Sequence, residues 1–208
     1  MRHSKYYAEF LSHSKMISLF CIFVFNGLVY VLTPAHYITW WLIIVGMILF
    51  SVNEYLVHRF LLHEYPRLMP GAYKGHVAHH DHPTDSTHLF GPIRFDLIIY
   101  GIIYAGMLLI TRDLHTTAAL ALGFSFFHIN YQWVHYISHR PIVPITPWNR
   151  WLKRMHLLHH FKDEHLWFGV TDPYVDMVSG TYEKIKRKNT KYFRKQLKQW
   201  YTNKINRS

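Results

Sequence analysis

The sequence predicts an all-α integral membrane protein with four transmembrane helices. Three observations predict it. Four apolar stretches divide a chain of 208 residues, half of which are apolar. Lys and Arg collect in the segments that would face one side of a membrane. Histidines recur in groups at helical spacing, and those groups fall on that same side. Only 17% of the residues are charged, below the share of about 25% usual in soluble domains. The length suits one domain, 1–208.

The first apolar stretch, 16–33, reads "MISLFCIFVFNGLVYVL" from Met16. No small-residue cleavage pattern follows it, so it is expected to be retained as a span and not removed as a signal peptide. The second, 38–62, begins at Ile38 and runs through "SVNEYLVHRFLLH" to His63. As one helix it would measure roughly 39 Å at ~1.5 Å per residue, against a hydrocarbon core of ~30 Å. About two turns must protrude, and those turns carry His58 and His63. The third stretch is 96–112. The fourth, 117–138, runs through "LALGFSFFHINYQWVHYISH" and ends on His135 and His139.

Charge orients the four. Arg2, Lys5 and Lys15 precede the first, and the connection from Thr33 to Tyr37 has no Lys or Arg. Arg67, Lys74 and Arg94 lie between the second and third, and only Arg112, beside Asp113, between the third and fourth. The positive-inside rule then places both termini and the middle loop in the cytoplasm. The basic tail over 183–208 is expected to lie on anionic lipid. Cys21 is the only cysteine, which excludes an intrachain disulfide and a cysteine-based metal site.

Four histidine groups carry the chemistry: His58 and His63; His76, His79 and His80; His135 and His139; His156, His159 and His160. Residues at i, i+3 and i+4 share one helical face. Three charged imidazoles there would repel one another, whereas neutral imidazole is a common metal ligand. His58 and His63 are spaced i, i+5. An ideal α-helix splays such a pair by well over a right angle, so they either straddle two ions or need a local distortion. Ten ligands exceed one ion's capacity. Two ions with about five nitrogens each would leave positions for oxygen and substrate. Satisfied structural histidines, or a cytoplasmic zinc buffer, are the bland alternatives.

Of the other histidines, His3, His13, His36 and His115 are expected in solvent or at the interface. His82, His88, His128 and His165 are expected to pack near the groups or support them. Glu54, one turn before His58, is the carboxylate best placed to orient a ligand. Asp81, Asp85, Asp163, Asp172 and Asp176 are further candidates. Tyr131 and Gln132, one turn before His135, could touch a substrate's polar end.

The order HxxxxH, HxxHH, HxxxH, HxxHH resembles the fatty acid hydroxylase/sterol desaturase superfamily. "EYLVHRFLLH" (Glu54 to His63) and "HLLHHFKDEHLWFGVTDPYVDMVSGTY" (His156 to Tyr182) resemble its fatty acid 2-hydroxylase branch, over roughly Tyr55 to Tyr182. The resemblance implies a four-helix membrane body and a cytosolic histidine-rich cap holding a di-metal centre of two iron ions, with the ten histidines as ligands. It implies O2-dependent hydroxylation of a long acyl chain at the carbon next to the carbonyl. Zinc, which cannot cycle, could still occupy such nitrogen sites in purified protein. Eukaryotic members often carry a fused cytochrome b5 domain. Here fifteen residues precede the first apolar run, so the expected electron donor is a separate cytochrome b5- or ferredoxin-like protein. The expected partners are thus a lipid acyl substrate, O2, that donor and the membrane, with no nucleic acid. A sterol or carotenoid oxygenase, a desaturase, or a non-redox zinc-binding membrane protein are the competing functions.

Overall fold

The computed structural model describes residues 4–35 and 37–184. His3, His36 and all but the first two residues of the basic tail over 183–208 lie outside the described residues. The described residues are helical throughout, with no strand.

A short helix α1 (Ser4–Ser12) leads into α2 (Ser14–Leu32), whose start is capped by His13: its Nδ1 accepts from the Lys15 N–H at 3.3 Å. The ring of His13 stacks on Phe90 and is only half-buried. Helix α3 (Trp40–Leu56) continues without a break into a π-helix, Val57–Glu64. Then come α4 (Pro70–Asp81), the single turn α5 (Ser86–Leu89), α6 (Ile93–Thr111), α7 (Leu114–Ser138), α8 (Pro147–Phe161) and the short α9 (Tyr174–Ser179). Proline at the first position starts both α4 and α8, where its missing N–H costs nothing. Asp113 caps α7 by accepting from the Thr116 N–H at 2.7 Å.

Among the described residues, three helical segments are long and apolar enough to cross a membrane: Ser14–Leu32, Trp40–Glu64 and Ser86–Thr111. They match the first three expected spans. Their outward faces carry bare apolar side chains such as Phe25, Val31, Ile48, Ile102 and Leu109. The fourth expected span, 117–138, does form one long helix, α7, but its composition falls short of that standard. The reason is packing. Helix α7 runs through the middle of the bundle against α2, α3, α6 and α8, and most of it is buried in protein. Thr116, Thr117, Ser125, His128 and Gln132 therefore meet protein, not lipid. His115, expected in solvent or at the interface, is likewise buried: its Nε2 lies 2.7 Å from Thr39 Oγ1, and Tyr30 stacks on its ring.

Two glycines set the spacing of α3 and α7. A Cβ on Gly46 would lie 2.0 Å from the Leu120 carbonyl oxygen, and one on Gly123 would lie 1.8 Å from that of Ile43. The two backbones touch, as small residues permit between membrane helices. Polar bridges hold the end of the bundle that carries the histidines. Lys15 pairs with Asp96 at 2.8 Å, tying α2 to α6, and Arg140 pairs with Glu9, tying the end of α7 to α1.

Gly46→Ala and Gly123→Ala should each destabilise the folded protein by about 1–3 kcal/mol, the usual range for overpacking. Gly101→Ala, whose Cβ would meet nothing within 4 Å, should not. Thermal unfolding in detergent measures all three, and equal midpoints would contradict the close crossing of α3 and α7.

Candidate metal centre

The π-helix answers the spacing problem of His58 and His63. A hydrogen bond from the Tyr65 N–H to the Phe60 carbonyl, 2.7 Å, spans five residues instead of four. Wider turns bring residues five apart over one another, so the two imidazoles share a face. Their ring centroids are 5.3 Å apart. The local distortion, and not a straddle across two ions, is what the structure uses.

Helices α4 and α8 bring their histidines to those of the π-helix and of the C-terminal end of α7. Lys153 fixes α8 against α7. Its ammonium donates to the carbonyls of Ile137, Arg140 and Ile142 at 2.6, 2.8 and 2.9 Å, closing the open end of α7. One turn further along α8 is His156, whose Nε2 stands 2.8 Å from Nε2 of His139.

The ten histidines form two groups of five. His58, His63, His76, His80 and His159 make the first; His79, His135, His139, His156 and His160 make the second. Within each group one nitrogen per ring lies within 4.8 Å of the rest. Each helix thus serves both groups: α4 sends His76 and His80 one way and His79 the other, and α8 divides likewise.

The residues fit metal ions. In three pairs two Nε2 atoms face each other: His76 and His63 at 2.9 Å, His135 and His79 at 2.9 Å, and His139 and His156 at 2.8 Å. Two ligand nitrogens at ~2.0–2.1 Å from one ion, at a right angle, would be about 3 Å apart. Nε2 of His58, His80, His159 and His160 is buried without a hydrogen-bond partner among the described residues. Buried polar atoms are rarely left so. Behind the first group stand two backbone acceptors. Nδ1 of His58 donates to the Phe168 carbonyl at 2.6 Å, and Nδ1 of His159 to that of Leu166 at 2.9 Å. Each bond leaves Nε2 as a lone pair aimed into the group.

The electrostatics agree. Burial, then the neighbouring imidazoles, lowers the pKa values of His76, His79, His156, His159 and His160 well below the ordinary value, and that of His80 to about 3. All are therefore neutral at physiological pH, the form in which an imidazole can bind a metal.

Glu54 is buried, and its carboxylate takes the N–H groups of Val170 and Thr171 and the Thr171 hydroxyl. It holds the loop that carries Phe168 and bonds to no imidazole directly. Asp176 does the same from the other side, accepting from Phe168 N at 2.9 Å and Gly169 N at 2.7 Å. The Tyr131 ring lies parallel to His135, centroids 5.7 Å apart. Gln132 contacts His128 at 3.2 Å, and His128 contacts Tyr100 at 3.3 Å. His82 and His88 pair with each other, and His88 lines the cavity that His76 and His79 also line. The Leu166 and Phe168 carbonyls left no mark in the sequence, because backbone acceptors have no residue type.

A cavity of about 260 Å³ opens beside both groups. It is lined by His58, His76, His79 and His135, by apolar side chains such as Phe50, Val57, Leu62, Ile99 and Phe124, and by the polar Lys15, Glu54, Asp96 and His128. Tyr131 and Gln132 line it too.

The family model for fatty acid hydroxylases matches residues 43–181, which include all ten histidines. The chain belongs to the fatty acid hydroxylase family. Its curated relatives place it in the 2-hydroxylase branch. It is 31% identical over 144 residues to the dihydroceramide fatty acyl 2-hydroxylase FAH2 of Arabidopsis thaliana, covering 68% of this chain and 60% of that one. It is 32% identical to the ceramide very long chain fatty acid hydroxylase SCS7 of Saccharomyces cerevisiae, covering 66% and 37%, and 32% identical to the fatty acid 2-hydroxylase of Homo sapiens, covering 62% and 36%. A solved structure titled full-length scs7p, with only the hydroxylase domain visible, superposes with a TM-score of 0.68 at 27% identity, over 82% of this chain and 66% of that one. The chain thus spans about 60% of the plant hydroxylase and little over a third of the yeast and human proteins.

Neutral imidazoles predict an acid-labile fold for this hydroxylase-family chain. Between the unfolded value of about 6.5 and the lowered folded values, the unfolded chain binds more protons, so stability falls as pH falls through that window. The thermal midpoint of metal-free protein should drop steadily from about pH 7 to about pH 5. A flat profile would show that burial does not hold these rings neutral.

Proposed function

We propose that this chain is an O2-dependent hydroxylase of long acyl chains, acting at the carbon next to the carbonyl of a fatty acid or sphingolipid acyl group. Two iron ions would be held, one by each group of five histidines. The observation that carries the reading is the cavity that joins histidines of both groups to apolar side chains of α3, α6 and α7, Phe50, Ile99 and Phe124 among them. The named activities of the plant, yeast and human relatives support it.

The bound irons supply the electrons that reduce O2, which no side-chain acid or base can do for an unactivated C–H bond. The chain's own residues do the rest. Phe50, Val57, Leu62, Ile99 and Phe124 take the acyl chain and exclude water. Tyr131 and Gln132, beside His135, are placed to meet the carbonyl end, which keeps the neighbouring carbon near the histidines. Burial keeps the histidine cap neutral and ready to bind metal. A separate electron-donor protein would reset the irons from the cytoplasmic side.

In the membrane, α2, α3 with the π-helix, α6 and α7 make four crossings of a single domain, 1–208. Both termini and the histidine cap then lie in the cytoplasm, with the basic tail on anionic lipid.

Three outcomes test these readings. Lipids from cells expressing the chain should gain 2-hydroxy acyl species by mass spectrometry. His156→Ala, His159→Ala and His160→Ala, checked for membrane yield, should each abolish the product, whereas His3→Ala should not. A product that loses two hydrogens instead of gaining an oxygen would make the chain a desaturase. A reporter fused after Ser208 should be active only on the cytoplasmic side, and activity on the other side would reverse the topology.

A further inference from the structure

The two histidine groups differ in what stands behind them, and the difference converges on Asp176. The peptide joining Phe168 to Gly169 is bonded at both ends. Its carbonyl accepts from Nδ1 of His58 at 2.6 Å, and its N–H donates to Asp176 Oδ2 at 2.7 Å. Asp176 is fully buried, and its other oxygen takes the Phe168 N–H and the Thr181 hydroxyl. The peptide joining Leu166 to Trp167 is bonded likewise: its carbonyl takes Nδ1 of His159, and its N–H donates to the Thr181 carbonyl at 3.0 Å. The Thr181 N–H returns to the Asp176 carbonyl at 2.9 Å.

The loop is built for this purpose at some cost. Trp167, between the two peptides, has a left-handed φ of 58° although it is not glycine. Such a residue costs roughly 1–2 kcal/mol, and it persists because its indole is buried and donates to the Glu183 carbonyl. Gly169 has no room for a side chain, since a Cβ there would lie 2.1 Å from the Asp172 carbonyl oxygen and 2.8 Å from Asp176 Oδ2. Glu54 grips the next two residues from α3.

Among the described residues nothing comparable stands behind the second group. Nδ1 of His79, His139 and His156 is buried with no hydrogen-bond partner among the described residues. A histidine that donates its outer N–H to an acceptor is fixed in tautomer and orientation and becomes a more basic ligand. A carboxylate behind the accepting peptide polarises that bond further.

We propose that Asp176 is a positioning residue that acts on His58 through the Phe168–Gly169 peptide, and that it makes the first group the tighter of two unequal metal sites. This inference rests on the reading of two metals per chain. Divalent metal should fill His58, His63, His76, His80 and His159 first, and the second group afterwards.

The test is equilibrium titration of metal-free, detergent-purified full-length protein with Co(II), followed by absorbance and calorimetry. Wild type should take up two ions in two resolved steps. His58→Ala should remove the tighter step and His156→Ala the weaker. Asp176→Asn should weaken the tighter step by roughly 10–100-fold, the usual effect of losing a supporting partner, and leave the weaker one unchanged. The double variant His58→Ala/Asp176→Asn should bind no worse than His58→Ala alone, since coupled residues are not additive. Two ions in equal steps, loss of both steps alike in Asp176→Asn, or additivity with His58→Ala would overturn the inference while leaving the two-metal reading intact. Fewer than two ions in wild type would instead overturn the two-metal reading. Should Asp176→Asn fail to fold, the assignment of steps by His58→Ala and His156→Ala still decides the order.

Discussion

Ten neutral imidazoles converging in one buried volume are the constraint on which the rest of this protein depends. Nitrogen lone pairs that face each other across about 3 Å repel unless a proton or a cation lies between them. Burial removes the option of protonating many at once, because each charged ring would stand desolvated beside the others. The arrangement is stable only if something else holds the four contributing segments together. Much of the structure does this. Lys153 locks α8 to the end of α7, the Arg140–Glu9 pair ties α1 beneath that end, and the Lys15–Asp96 pair joins α2 to α6. The Gly46 and Gly123 crossing holds α3 and α7 close, which keeps the two histidine groups at their ends side by side.

Backbone irregularity appears where this convergence demands it. The π-helix after Leu56 widens the turn so that His58 and His63 share a face. The left-handed Trp167 sits between the two peptides whose carbonyls take the Nδ1 protons of His159 and His58. Both departures cost energy and both serve the first histidine group. The second group comes from regular helices and one cap, with His79 on α4, His135 on α7, His139 just past its end, and His156 and His160 one turn apart on α8. That contrast separates a site held by its surroundings from one held by packing alone.

The membrane reading and the chemistry share one geometry. The bare apolar faces of α2, α3 and α6 face outward, while α7 carries its polar residues through the centre, shielded by its neighbours. The cavity lies between α3, α6 and α7, joining the apolar interior to the histidines.

The sequence by itself determined the helical class, three of the apolar spans, the ten histidines and their segments. Those features are periodic or compositional, and a helix writes its faces into residue spacing. Only the tertiary structure decided how the ten divide, because HxxHH says that three rings share a face and not which neighbour each one meets. His79 parts from His76 and His80 for that reason. Helix α7 looked like one more lipid-facing span until its neighbours were in place, since burial in protein and burial in lipid select similar residues. Glu54 was legible as a carboxylate near a ligand, yet its partners are the N–H groups of Val170 and Thr171, more than a hundred positions away. The Phe168 and Leu166 carbonyls could not be read at all. Every residue has a carbonyl, and only the folded path of the chain aims one at an imidazole.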